Sequence, residues 1–209
     1  MNTVHFETTL CNFLDRYLVD RDCIDMHKPE CPDVADKMVD ILNSFIHDAV
    51  KEYNSYPLAT LSWIMYTGMA LAKYWDLEWD VYSKVDDLYV YLRDKRGYDA
   101  MDDYIIDEVL CLKGEDKIKL QNLVMNCASG ANDMLIHSGV ESGTREAFEL
   151  FVSCLRQMYM YGMYIELTIH KYVIGVSYFC GLIEKYHVAV IVIKSPCSLT
   201  IFDSNHIDI

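Results

Sequence analysis

With 209 residues, 52% apolar and 24% charged, the chain is long enough for one sizeable core and too apolar for the disordered regime. Its formal net charge is −14, and residues 76–116 alone hold 13 acids against 5 bases. Such a field repels phosphate backbones and anionic membrane surfaces, so we expect no nucleic-acid partner, mimicry of DNA aside, and no membrane partner.

The N-terminus, MNTVHFETTL, has neither the basic nor the apolar region of a secretory signal. The most apolar stretch, residues 172–183, is shorter than the roughly 20 residues that a bilayer span requires. Eight cysteines are scattered with no pair two or three apart, mostly among apolar neighbours. They read as reduced, buried thiols, and the chain reads as a soluble, cytoplasmic protein.

Phe6, Leu10, Phe13, Leu14, Tyr17 and Leu18 recur at helical spacing, which predicts an amphipathic helix over 3–19. Residues 20–30 are polar and form a loop. Pro32 suits the first turn of a second helix, because its missing N–H has no intrahelical partner there. Met38, Ile41, Leu42, Phe45, Ala49 and Tyr53 give that helix one apolar stripe, and Pro57 marks the next element. From Leu58 to Trp75 apolar side chains point all round, the pattern of a helix at the centre of a bundle. Gly68 would let a neighbouring helix approach it closely.

A fourth helix is expected over 79–93, with Tyr82, Val85, Leu88, Tyr89 and Leu92 facing inward, and Gly97 ends the segment. Met101, Tyr104, Ile105, Val109 and Leu112 mark a fifth, closed by Gly114, and Leu120, Leu123, Val124 and Cys127 a sixth. Small and polar residues between Cys127 and Gly143 suggest an interruption, after which Ser142 or Thr144 caps a helix carrying Phe148, Phe151, Val152, Leu155, Met158 and Tyr159. One uninterrupted helix over 144–186 would be about 65 Å long. A break near Gly162, Gly175 or Gly181 is therefore expected. Residues 188–193 and 199–202 are β-forming runs around Ser195-Pro196, which predicts a short C-terminal β-hairpin.

The expected fold is thus mainly α. It is a single-domain bundle of six to eight helices over residues 1–186, with the hairpin and tail of residues 187–209 packed on it. A two-stranded hairpin is marginal alone, and one route to stability is edge pairing in a homodimer.

Two groups of residues bear on function. On a helix Asp99, Asp103 and Asp107 are four apart and form an acidic stripe flanked by Asp102 and Glu108. Like charges so placed cost roughly 0.2–0.5 kcal/mol per pair, so a divalent cation, a Lys or Arg from another helix, or water must compensate them. Asp103, Asp107 and Glu108 are the candidate metal ligands, although the run lacks the spacing of the aspartate-rich motif of helical isoprenoid enzymes. The second group is aromatic: Trp63, Tyr66, Met69 and Trp79, a candidate ligand pocket or partner surface where the tryptophans meet the acidic run.

Other constellations fall short of a site. Glu184-x-x-His187 is one Glu-x-x-His pair where a di-iron bundle needs two. Glu146 and Glu149 lack the second acidic pair of helical nucleotide pyrophosphatases. Cys23, His27 and Cys31 lack a fourth zinc ligand. Neither a Gly-x-Ser-x-Gly elbow nor a phosphate-cradling glycine loop occurs. We therefore expect a non-catalytic protein-interaction or self-association module that needs no cofactor. The alternatives are a metal-dependent hydrolase or lyase using the Asp99 to Glu108 face, and a small-ligand-binding bundle with an aromatic pocket.

Overall fold

The computed structural model describes residues 2–183, with side chains through residue 169. The expected hairpin, and the homodimer contact that would run through it, lie outside the described residues. Seven α-helices and no strand occur among the described residues: α1 (Thr3–Val19), α2 (Pro32–Tyr53), α3 (Pro57–Tyr82), α4 (Leu88–Arg96), α5 (Met101–Tyr104), α6 (Gly114–Ile136) and α7 (Arg145–Ile183). No described helix is long and apolar enough to cross a membrane. The chain divides after Thr168 into two units, and the described buried residues belong to the first, Met1–Thr168.

The first three helices begin where local chemistry places them. Asn2 accepts the His5 amide through its side chain (2.8 Å) and starts α1, while Pro32 and Pro57 occupy the first positions of α2 and α3. Helix α1 buries Phe6, Leu10, Leu14 and Leu18, one residue per turn. Burying each such side chain is worth about 1.5–3 kcal/mol. Helix α2 buries Val34, Ile41, Leu42, Phe45 and Ala49. Helix α3 is different, because all fifteen residues from Thr60 to Tyr74 are buried. Two of its threonines are satisfied locally: Thr60 and Thr67 donate their hydroxyls to the carbonyls of Tyr56 (3.1 Å) and Trp63 (2.8 Å).

Helix α3 is met by α7 at two glycines. A Cβ on Gly68 would overlap the carbonyl oxygen of Tyr159, and one on Gly162 would overlap the carbonyl oxygen of Met65. The two backbones therefore touch, each at the other's glycine. The expected break at Gly162 does not occur, and α7 is continuous from Arg145 to Ile183. Gly162 is there to admit α3, and a glycine chosen for close approach need not interrupt the helix that carries it. One turn away the Tyr159 hydroxyl donates to the Val34 carbonyl at the start of α2 (2.8 Å). Lys73 of α3 pairs with Glu166 of α7 (3.6 Å) with both side chains almost fully buried.

Two other expectations are corrected. The helix expected over 79–93 is divided differently. Helix α3 continues to Tyr82 through a kink at Glu78 (φ −149°, ψ 52°), and α4 begins only at Leu88. Asp87 sets that start, since one carboxylate oxygen accepts the Val90 amide (2.9 Å) and the other accepts the Ser44 hydroxyl from α2 (2.5 Å). The interruption expected between Cys127 and Gly143 falls within that range, after Ile136, and Gly130 lies inside α6 with the Phe13 ring of α1 packed on it. Gly114 opens α6 with φ +56° instead of merely closing the preceding segment. Among the described cysteines, 11, 23, 31, 127 and 154 are free thiols, as expected.

The Lys73–Glu166 pair yields a test. Glu166→Gln removes one charge of this buried pair, which should cost up to about 3–5 kcal/mol in urea unfolding followed by far-UV circular dichroism. Replacing both, with Lys73→Met and Glu166→Leu, should recover most of that loss.

Candidate functional site

The segment that follows α4 carries the expected acidic stripe. Gly97 (φ +86°) turns the chain into a single 3₁₀ turn, Tyr98–Ala100, before α5. The next residues widen into a π turn, Ile105–Val109, in which the Leu110 amide bonds the Ile105 carbonyl (2.8 Å). Such turns re-aim side chains and recur at functional sites. Here Ile105, Ile106 and Val109 point into the core and leave Asp103, Asp107 and Glu108 on the outer side.

Cations of the chain itself meet these carboxylates. Lys117 of α6 contacts Asp103 (3.1 Å) and Asp107 (2.7 Å), and Arg96 of α4 contacts Asp107 (3.4 Å) and Glu108 (2.9 Å). The hydrogen bond from Lys117, with Arg96 adding to it, holds the Asp107 carboxyl below the usual carboxylate range, and the same contact raises the Lys117 pKa. Among the described residues no group of three or more His, Cys, Asp and Glu is arranged to hold a metal ion. Asp103, Asp107 and Glu108 thus lie side by side with Lys117 and Arg96 between them.

Asp102 faces the other way. It is partly buried, and that desolvation raises its pKa, with the nearby Trp63 indole acting in the opposite direction. The acidic and aromatic candidates therefore adjoin at Trp63, whose ring packs edge-on against Tyr98 (4.5 Å). Trp63, Tyr66 and Met69 are core residues, 8%, 3% and 0% exposed, while Trp79 is half-buried beyond the kink. Trp75 is half-buried as well, with its indole N–H donated to Asp33 (3.0 Å). Tyr82 stacks on Tyr74 (3.7 Å), and the Tyr91 ring stands at about a right angle to both, with Lys95 over its outer face (4.0 Å). Over this aromatic base the kink exposes Asp76, Leu77, Glu78, Asp80 and Val81. Leu77 and Val81 are more than half exposed, at 52% and 57%.

A cavity of about 390 Å³ lies elsewhere, between the end of α2, the end of α6 and the start of α7. Trp63, Tyr66, Met69 and Trp79 do not line it. Its floor is Tyr53, Leu150 and Phe151, with the Tyr53 and Phe151 rings 4.6 Å apart. The Tyr53 hydroxyl donates to Asn132 (2.9 Å), and burial pushes its pKa up to about 12. The only hint of this place in the sequence is the cluster of small and polar residues between Cys127 and Gly143.

The fold and surface define an all-α unit with a kinked central helix and a self-neutralised acidic face. No protein-family model matches the chain, and no curated protein or solved structure is significantly similar to it.

Asp102 and Asp107 should respond oppositely to pH. The depressed Asp107 stabilises the fold above its unfolded pKa, near 3.9, and that contribution is lost as pH falls through the lower folded value. The raised Asp102 favours the fold at low pH and penalises it as pH climbs from the unfolded to the folded value. In urea unfolding, Asp107→Asn should lower stability at pH 7 by at most about 1 kcal/mol, since the pair is partly exposed, with a smaller deficit near pH 3. Asp102→Asn should raise stability at pH 7 and show a smaller gain near pH 3.

Proposed function

We propose that the chain is a non-catalytic interaction module. Its partner is a protein that carries basic side chains around an apolar contact and docks at the kink of α3. The supporting observation is the exposure of Leu77 and Val81 beside the exposed Glu78 and Asp80, in the same stretch of helix as the stacked Tyr74 and Tyr82. Apolar side chains ringed by charge of one sign suit an interface with an apolar centre and a complementary rim. The stripe from Asp99 to Glu108 is a weaker candidate for such a contact, because Lys117 and Arg96 already compensate it. A second copy of the chain would bring acid against acid at the kink, so this surface favours a different, basic protein.

The experiment is affinity capture from extracts of the source cells, followed by titration of the captured protein at 0.05 and 0.5 M NaCl. Binding should weaken at the higher salt, where exposed charges are screened beyond about 3–10 Å. The substitutions Asp80→Asn and Leu77→Ser should each weaken it further, through association rate and through contact respectively. Salt-insensitive binding, or binding untouched by both substitutions, would contradict the reading.

A further inference from the structure

The cavity at the α6–α7 turn has a composition unlike the surface around it. The chain carries 32 acids and 18 Lys or Arg, yet among the described residues no charged side chain lines this space. Its walls come from three separated stretches of sequence: the last turn of α2, the last turn of α6, and the loop and first turns of α7. Three large apolar side chains left exposed by the fold, Val50, Ile136 and Phe148, meet there. Behind them lies the aromatic floor of Tyr53 and Phe151.

The polar part of the lining is held in place by hydrogen bonds. The Ser138 hydroxyl oxygen accepts the Val140 amide (3.3 Å), which leaves its own proton to donate. Thr144 is fully engaged, accepting the Ala147 amide (3.2 Å) and donating to the Glu141 carbonyl (2.7 Å). Gly139 (φ +72°) and Gly143 (φ +81°) supply the left-handed turns that bring the loop back to α7. The Asn54 amide, at the end of α2, adds a donor and an acceptor on another wall. An uncharged, largely apolar space in the size range of small-molecule sites, with a few placed polar groups, is the composition expected of a ligand pocket.

We propose that this cavity binds a small, uncharged, ring-bearing molecule. Its ring lies against Tyr53 and Phe151, and a hydroxyl or carbonyl group meets Ser138 and Asn54. A charged ligand would find no counter-ion among the described lining residues and would lose its hydration on entry. The site is separate from the acidic kink and does not depend on the partner proposed there.

The test uses the full chain and the neutral dye N-phenyl-1-naphthylamine, whose fluorescence rises in apolar surroundings. We expect saturable enhancement at one dye per chain. Ala147→Phe, which fills the cavity from α7, and Ser142→Trp, which covers it from the loop, should each weaken binding tenfold or more, while Lys119→Gln, outside the lining, should leave it unchanged. Circular dichroism identifies which cavity variants fold, and one folded variant suffices to decide. The absence of saturable enhancement, or a folded cavity variant that binds the dye as the parent does, would overturn the proposal.

Discussion

The structure depends on the contact between α3 and α7 at Gly68 and Gly162. Helices ordinarily pack with their axes about 8–10 Å apart, a spacing set by the side chains between them. Here each helix offers a glycine to the other's carbonyl oxygen, so two backbones meet directly. That closeness lets α7 cover one side of α3 while α2 and α6 cover others, and it explains why fifteen consecutive residues of α3 are buried. It also sets the reach of two polar links, from Tyr159 to the Val34 carbonyl and from Lys73 to Glu166. A buried ion pair adds little net stability, but it penalises any register of α3 on α7 that separates its charges.

Charge is arranged on a different principle. The central helix keeps Lys73 within the core, and the acidic excess lies outside, in the kink and in the segment after α4. In that segment the stripe is neutralised within the fold, because Lys117 and Arg96 reach it from α6 and α4. The kink has a different character, joining exposed acids to exposed leucine and valine. The two acidic regions, adjacent in sequence, thus differ in what they offer a partner.

Much of the framework was legible in the sequence. The limits of α1, the starts of α2 and α3 at Pro32 and Pro57, and the central place of α3 follow from periodicity, proline and an apolar pattern without a polar face. Gly68 was legible as a site of close approach. Gly162 was not, since one dimension does not distinguish a glycine that breaks a helix from one that admits a neighbour. The start of α4 was missed because it depends on Asp87, whose capping role is strengthened by Ser44, 43 residues earlier. A Lys or Arg from another helix was one of three compensations the stripe allowed, beside a cation and water, and its position was not legible, because Lys117 and Arg96 are brought to it by turns at Gly97 and Gly114. The cavity left almost no trace, since three distant stretches of ordinary composition build it.

The most direct test of this account substitutes the two glycines. In urea unfolding of the full chain, Gly68→Ala and Gly162→Ala should each cost about 1–3 kcal/mol or more, because the added methyl meets backbone that has no rotamer with which to yield. The double variant should lose less than the sum, since separating the helices once relieves both overlaps. Two single variants within about 0.5 kcal/mol of the parent, the range of ordinary surface substitutions, would contradict a fold built on this crossing.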